Sequence, residues 1–485
     1  MTTPRSPRSA WLSVGWTPGT LAKVQSAGQA RRASWRCTIL ADMSDVAEAL
    51  SPLINHLCGG EPPLRMRFWD GSEVGPAGGP GAASPDRDST TDAVATLVIR
   101  SPRALRRILW QPNELGLSRA YVAGEIDVEG SIWALFGPHG LLSSGGLPRG
   151  WKARLEGGRR LFVASKATGA LGRPLAPPPE EARLRGRLHS RRRDAQAIAH
   201  HYDVSNDFYR LVLGETMTYS CAYFSTPETP LADAQRAKYD LICRKLGLQP
   251  GMRLLDVGCG WGGMALHAAE HYGVRAVGVT LSKRQVEYAC DAVAAAGLDD
   301  RVKIRLQDFR DVADGPFDAV SSIGMVEHVG RSRLAEYFGR LYALLRPGGR
   351  LLNHGICWPR GSRGLGRTSF VGRYVFPDGE LHEVGLIAQA MQARGFEVRD
   401  TQSLREHYAL TLHRWVHDLE ENWDEAVRIA GAGRARVWRL YMAGSAEDFA
   451  HGKLTVNQVL AVRPDAVGSS EMPLTRAALL GAQIL

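Results

Sequence analysis

From Pro250 onward the chain alternates short apolar runs with amphipathic stretches, and few folds admit that alternation. Residues 253–257 (Arg-Leu-Leu-Asp-Val) read as a buried strand, 264–272 as a helix, 276–280 as a second strand and 283–296 as a second helix. Further strands are predicted at 302–306, 317–322 and 350–353. Strands that alternate with helices call for a parallel sheet covered by helices on both faces. Between the first strand and its helix stands Asp256-Val-Gly-Cys-Gly-Trp-Gly-Gly263. Glycines at 258, 260 and 262 let the backbone turn tightly and let a ligand come close, where side chains would block it.

A lone glycine-rich loop is compatible with a dinucleotide or with S-adenosylmethionine. Two features separate them. The glycines here alternate, instead of following the spacing Gly-x-Gly-x-x-Gly, and an acid, Asp256, ends the strand before them. An anion in that place suits a cofactor that presents an ammonium and a sulfonium, not a pyrophosphate. After the third strand, Asp308 is expected to accept from the adenine amine while Phe309 packs on the ring. The second strand ends in Thr280-Leu281-Ser282, where an acid often grips a ribose, and this departure points to a subfamily. The predicted fold class is α/β: a class I S-adenosylmethionine-dependent methyltransferase (Rossmann-like) domain with a smaller α+β N-terminal domain.

A length of 485 residues predicts two or three domains. Residues 1–42 lack the continuous apolar core of a secretory signal and are expected to be disordered or a non-native start, with Met43 as an alternative initiator. Helical patterning begins at Val46, and an α+β N-terminal domain is expected over 43–140. It holds a strand at 93–99, a helix capped by Ser101, and a long exposed loop over 75–92. Residues 141–194 read as a basic linker, 195–465 as the catalytic domain with a helical lid, and 466–485 as a tail. The arginines at 183, 185, 187, 191, 192 and 193 read either as a solvated linker or as a contact with an anionic membrane. No apolar stretch approaches the roughly 20 residues of a membrane span. The net charge of +10 favours anionic partners, but without interleaved aromatic residues or a recognisable motif it predicts no nucleic acid. Seven cysteines without paired metal-ligand spacing predict reduced thiols in a cytoplasmic protein and no metal.

Six segments then occur in one order: residues 201–209 (HYDVSNDFY), 218–223 (TYSCAY), 255–262 (LDVGCGWG), 278–282 (GVTLS), 324–330 (GMVEHVG) and 373–379 (RYVFPDG). Together they resemble the cyclopropane-fatty-acyl-phospholipid synthase and mycolic acid cyclopropane synthase family over about residues 195–465. The N-terminal region is similar to the extra domain of the phospholipid-acting branch, which the shorter mycolic acid enzymes lack. The resemblance implies transfer of a methylene group to the double bond of an unsaturated phospholipid acyl chain at the inner face of an anionic membrane, and leaves room for a homodimer.

An isolated alkene is a feeble nucleophile, so the chemistry needs a dry pocket that aligns it with the methyl group. A base must then remove a proton from the added carbon without capturing the cation. The resemblance implies bicarbonate in that role, held by Cys221, Glu327, His354, Tyr408 and the main chain of Ile356. Glu327, an anion facing an anion, is expected to orient His354 or share its proton network. His407 competes with Tyr408 for its role. Tyr219, Ser220, Thr280 and Leu281 are expected to reach the cofactor, Gln285 its ribose or amino acid end, and His201 and Tyr202 to order the lid. Residues 353–356 (Asn-His-Gly-Ile) depart from the commoner His-Thr-Ile pattern, and 360–367 form an Arg/Gly-rich loop; both bear on acyl placement. Alternatives are a methylene- or methyl-branched product by the same route, a methyltransferase for a soluble metabolite, and a lipid-binding module on an inactive fold.

Overall fold

The computed structural model describes residues 45–481 except 59, 77–94, 137–150, 183–189, 192, 194–195, 197–204, 362 and 365–368. Most of the expected 75–92 loop, His201, Tyr202 and Arg183, Arg185, Arg187 and Arg192 lie outside the described residues.

Near the N-terminus, strands β1 (Arg65–Arg67), β2 (Glu73–Val74), β3 (Thr96–Ile99) and β4 (Ile126–Glu129) form one sheet in the order β2-β1-β3-β4. Ser101 Oγ caps the helix Pro102–Trp110 by accepting from the Arg103 amide at 3.2 Å. The stretch expected to be a linker instead contains a 17-residue helix, Trp151–Ala167. Leu161 and Ala164 are buried from it into the N-terminal core. Its apolar positions are irregularly spaced among basic residues and glycines, with Phe162 and Val163 exposed, which is why the pattern read as a break. The tail likewise carries a short helix, Arg476–Leu479.

The catalytic sheet contains β5 (Arg253–Val257), β6 (Arg275–Thr280), β7 (Val302–Leu306), β8 (Phe317–Ile323) and β9 (Leu345–Cys357). A two-stranded ribbon, β10 (Arg363–Gly364) with β11 (Glu380–Leu381), stands apart. Strands β12 (Glu397–Ser403) and β13 (Thr455–Val462) complete the order β12-β13-β9-β8-β5-β6-β7. The sheet is therefore mixed, not wholly parallel, because β13 runs antiparallel to both of its neighbours. The chain leaves β5 toward β6 on one side and returns to β8 on the other. That reversal opens a crevice at the carboxyl ends of β5 and β8, where such sheets bind ligands.

Helices Arg405–Glu421 and Ala432–Ala450 cover this crevice and share one apolar core with the N-terminal domain, joining Trp415, Trp438 and Phe449 to Tyr121 and Ile132. One side chain pins the two parts. Arg436 donates to the carbonyls of Tyr121 at 3.0 Å and Ile126 at 3.2 Å, and to Asp127 Oδ2 at 2.7 Å. Among the described residues no helix is long and apolar enough to cross a membrane, and the cysteines are free thiols.

Arg436→Met keeps the aliphatic stem but takes the donor away from two carbonyls and leaves Asp127 with Arg100 as its ion-pair partner, so it should cost about 1–3 kcal/mol. Thermal unfolding should show a clear fall in Tm, whereas Arg428→Met, which removes an exposed ion pair with Glu425, should leave the melting curve unchanged.

Candidate active site

A cavity of about 300 Å³ fills the crevice. Its floor is the loop after β5, with Asp256, Gly258 and Gly260 on the wall. Gly260 has φ +54°, and a Cβ built on it meets nothing within 4 Å, so the loop leaves free space for a ligand against its backbone. Gly262 serves another purpose. A Cβ there would press on Ala289 Cβ at 3.0 Å, so this glycine admits the neighbouring helix and does not line the cavity. Asp256 is buried and accepts from Ser321 Oγ at 2.6 Å. Burial pushes its carboxyl up to about 6, against the opposing effects of Ser321 and Lys238.

The remaining predicted cofactor residues divide. Tyr219, Ser220 and Gln285 line the cavity. Thr280 does not; its hydroxyl donates to Gln285 Oε1 at 2.7 Å and so orients the glutamine. Leu281, Asp308 and Phe309 are also absent from the wall. Both oxygens of Asp308 are taken by Arg310, at 2.8 Å and 2.6 Å, and the carboxylate also caps the turn Phe309–Asp311. Phe309 packs edge-on against Tyr337 at 5.1 Å. Arg310, two residues on, thus takes the carboxylate expected to meet the adenine amine.

All five residues predicted for the chemistry lie on the cavity wall. Cys221 is wholly buried, and desolvation raises its thiol pKa, which keeps it protonated. Tyr408 lines the cavity and packs on Phe449 at 4.6 Å, while His407 turns away and accepts from the Phe224 amide at 3.1 Å. His354, on β9, has Gln458 Nε2 at 3.3 Å from its Nδ1. With that amide donating, the imidazole carries its proton on Nε2, which is buried and has no partner. Burial drives its pKa down to about 3, helped by Lys238 and Lys245.

Glu327 corrects two expectations. Its Oε1 accepts from the Ile356 amide at 2.7 Å, so that main-chain donor is occupied by the protein and is not offered to a bound anion. Nor does Glu327 pair with His354, whose Nδ1 faces Gln458. The other oxygen, Oε2, is buried without a partner. Burial pushes this carboxyl up to about 7, against the Ile356 bond.

Two features went unforeseen. An aromatic wall joins Tyr219 to Tyr441, whose hydroxyls lie 3.2 Å apart, and stacks Tyr219 on Trp415 at 5.3 Å. The helix Leu231–Leu246 places Gln235, Lys238 and Tyr239 behind the 218–221 loop; the signal was a polar set at helical spacing on an otherwise apolar face.

The open backbone at Gly260, the buried acid and the oriented Gln285 fit S-adenosylmethionine, and the fold and site define a class I S-adenosylmethionine-dependent methyltransferase. Residues 189–459 match the family described as mycolic acid cyclopropane synthetase, and the chain belongs to that family. It is 44% identical over 422 residues to a "probable fatty acid methyltransferase" of Mycobacterium tuberculosis, covering 86% of this chain and 94% of that one. It is 39% identical to cyclopropane mycolic acid synthase 1 of the same organism, covering 53% of this chain and 93% of the relative. A solved mycolic acid cyclopropane synthase, in complex with SAH and CTAB, superposes with TM-score 0.52 at 37% identity, over 55% of this chain and 97% of that one. The activity is S-adenosylmethionine-dependent methylene or methyl transfer to fatty acyl chains.

Gly260→Val would place a branched side chain in the free space and should abolish binding of S-adenosylhomocysteine, as read by calorimetry. Glu327→Gln should act on stability with a definite sign. Folding holds this carboxyl above its unfolded pKa, so the wild type loses stability as pH rises from about 4.5 to about 7. The glutamine variant escapes that loss. Its Tm advantage over wild type should be absent at pH 4 and grow to the equivalent of roughly 2–3 kcal/mol at pH 8.

Proposed function

We propose that the chain forms a cyclopropane ring on the double bond of an unsaturated phospholipid acyl chain, with bicarbonate as the proton acceptor. The observation that carries this reading is one cavity that joins the glycine loop to two buried, unpartnered polar atoms, Glu327 Oε2 and His354 Nε2.

S-adenosylmethionine supplies an electrophilic methyl group when bound. The chain's own residues supply the surroundings. Val371, Phe376, Leu381, Leu454 and Val456 make an apolar wall that takes an acyl chain and excludes water. The rings of Tyr219, Tyr408 and Tyr441 line the cavity, and aromatic rings suit positive charge without capturing it. His354 Nε2–H and Glu327 Oε2 are the groups that would hold bicarbonate, one donating and one accepting, and the neutral Cys221 thiol adds no competing nucleophile. Bicarbonate supplies an acceptor for the proton that must leave the added carbon.

The phospholipid reading is supported by Glu114, which reaches from the N-terminal domain to the cavity wall and accepts from the Phe370 amide at 3.1 Å. A soluble metabolite would not need that second domain. Of the basic run, Arg191 is paired with Asp311 and Arg193 with Asp378, so these two are tied to the catalytic domain. The branched-chain product is the second reading, because two relatives that cover 85% or more of this chain carry the name probable fatty acid methyltransferase.

Incubation with S-adenosylmethionine and vesicles of unsaturated anionic phospholipid should yield acyl chains bearing upfield ring-methylene protons by NMR; vinylic or methyl-branch signals in their place would establish the branched product. Removing carbon dioxide from the buffer should slow the reaction and added bicarbonate should restore it. Glu327→Gln should lower turnover by roughly 100-fold or more while S-adenosylhomocysteine affinity changes little. A rate indifferent to bicarbonate would refute the borrowed base.

A further inference from the structure

Lys238 lines the same cavity. The residue is wholly buried. Its Nζ donates to Ser220 Oγ at 3.0 Å and lies 3.8 Å from the centroid of the Tyr239 ring. Among the described residues no carboxylate oxygen lies within 4.0 Å of it. An ammonium withdrawn from water and left without a contacting anion is costly, and the cost is tolerable where a ligand brings the anion.

The neighbours show which anion the place would take. Gln235, Lys238 and Tyr239 stand at i, i+3 and i+4 on one helix and together hold the 218–221 loop. Gln235 Nε2 donates to the Ser220 carbonyl at 2.9 Å, and Tyr239 shares a hydrogen bond with Thr218 Oγ1 at 2.8 Å. Because Lys238 donates to Ser220 Oγ, the serine's own proton is left to donate. Two donors thus converge on the cavity beside the glycine loop, one of them charged, and that pairing is suited to a carboxylate. Asp256, on the same wall, suits an ammonium.

We propose that Lys238 Nζ, with the Ser220 hydroxyl, is the counter-charge for the α-carboxylate of S-adenosylmethionine and fixes the amino acid end of the cofactor. Lys238 is a binding and positioning residue, and the proposal rests on the cofactor assignment. Burial holds its pKa down to about 7, while Cys221 and Asp256 raise it. Tyr239, His267 and His354 are the other titratable groups near it. A carboxylate arriving at Nζ favours the charged form, so at pH 8 the lysine takes up a proton on binding, and affinity falls as pH rises above about 7.

The test is calorimetry at pH 8 with two probes, S-adenosylhomocysteine and 5′-methylthioadenosine, which lacks the amino acid end, in buffers of different ionisation heat. Wild type should take up a proton with the first probe and not with the second. Lys238→Met should weaken S-adenosylhomocysteine roughly 10- to 100-fold, leave methylthioadenosine within about twofold, and abolish the uptake. Because the variant loses an unpaired buried charge, it should melt no lower than wild type; the proton-uptake contrast in wild type stands even if the variant fails to fold. Equal losses for both probes, or no uptake in wild type, would overturn the proposal. A wild type that binds neither probe would overturn the cofactor assignment itself.

Discussion

Exclusion of water from the crevice between β5 and β8 governs the protonation of the groups around it. Asp256 and Glu327 are held near neutrality by burial, at about 6 and about 7, and His354 is kept neutral. The same desolvation keeps the Cys221 thiol protonated. A site so arranged keeps His354 and Cys221 uncharged, and holds two carboxyls, Asp256 and Glu327, able to gain or lose a proton near physiological pH. In bulk water the carboxyls would be ionised and the thiol more reactive, and a cation on the acyl chain would be captured by solvent.

That exclusion is built from three directions. The sheet supplies the floor through the loop after β5 and through His354 and Ile356 on β9. The helix Leu231–Leu246 closes the back by holding the 218–221 loop with Gln235, Lys238 and Tyr239. The roof belongs to helices that pack as much on the N-terminal domain as on the sheet, and Arg436 and Glu114 cross that boundary. The N-terminal domain is therefore part of the wall around the reaction. The first of the relatives covers 86% of this chain, whereas cyclopropane mycolic acid synthase 1 covers 53% of it.

Local chemistry made much of this visible in the sequence. The strand over 253–257 and the loop after it were legible because a buried strand followed by alternating glycines has few other uses. The helix Trp151–Ala167 was hidden, since only sparse apolar positions among basic ones make contact. Strand β13 was equally hidden, because a central strand with burial on both faces has no alternation to read. At the site, Cys221, Glu327, His354 and Tyr408 converge, but who bonds to whom depended on register. Pairing of β9 with β13 sets His354 opposite Gln458, and the turn after β8 brings Glu327 to Ile356. Asp308 and Lys238 show the same limit from opposite sides: a nearby Arg310 consumed one, and helical spacing delivered the other.

The departure at Gly355 becomes intelligible in these terms. A Cβ at this position would meet Val326 Cγ1 at 2.4 Å and stand 3.7 Å from Glu327 Oε1. The segment bearing Glu327 thus lies directly on the backbone of β9, and its closeness is what lets Oε1 take the Ile356 amide at 2.7 Å. A side chain at this position would require the Val326 side chain to shift. The glycine here trades side-chain bulk on β9 for a tighter seat of the acid. The tighter seat leaves Glu327 with one oxygen committed to the Ile356 amide and the other without a partner, and so fixes the direction in which the carboxyl can exchange a proton.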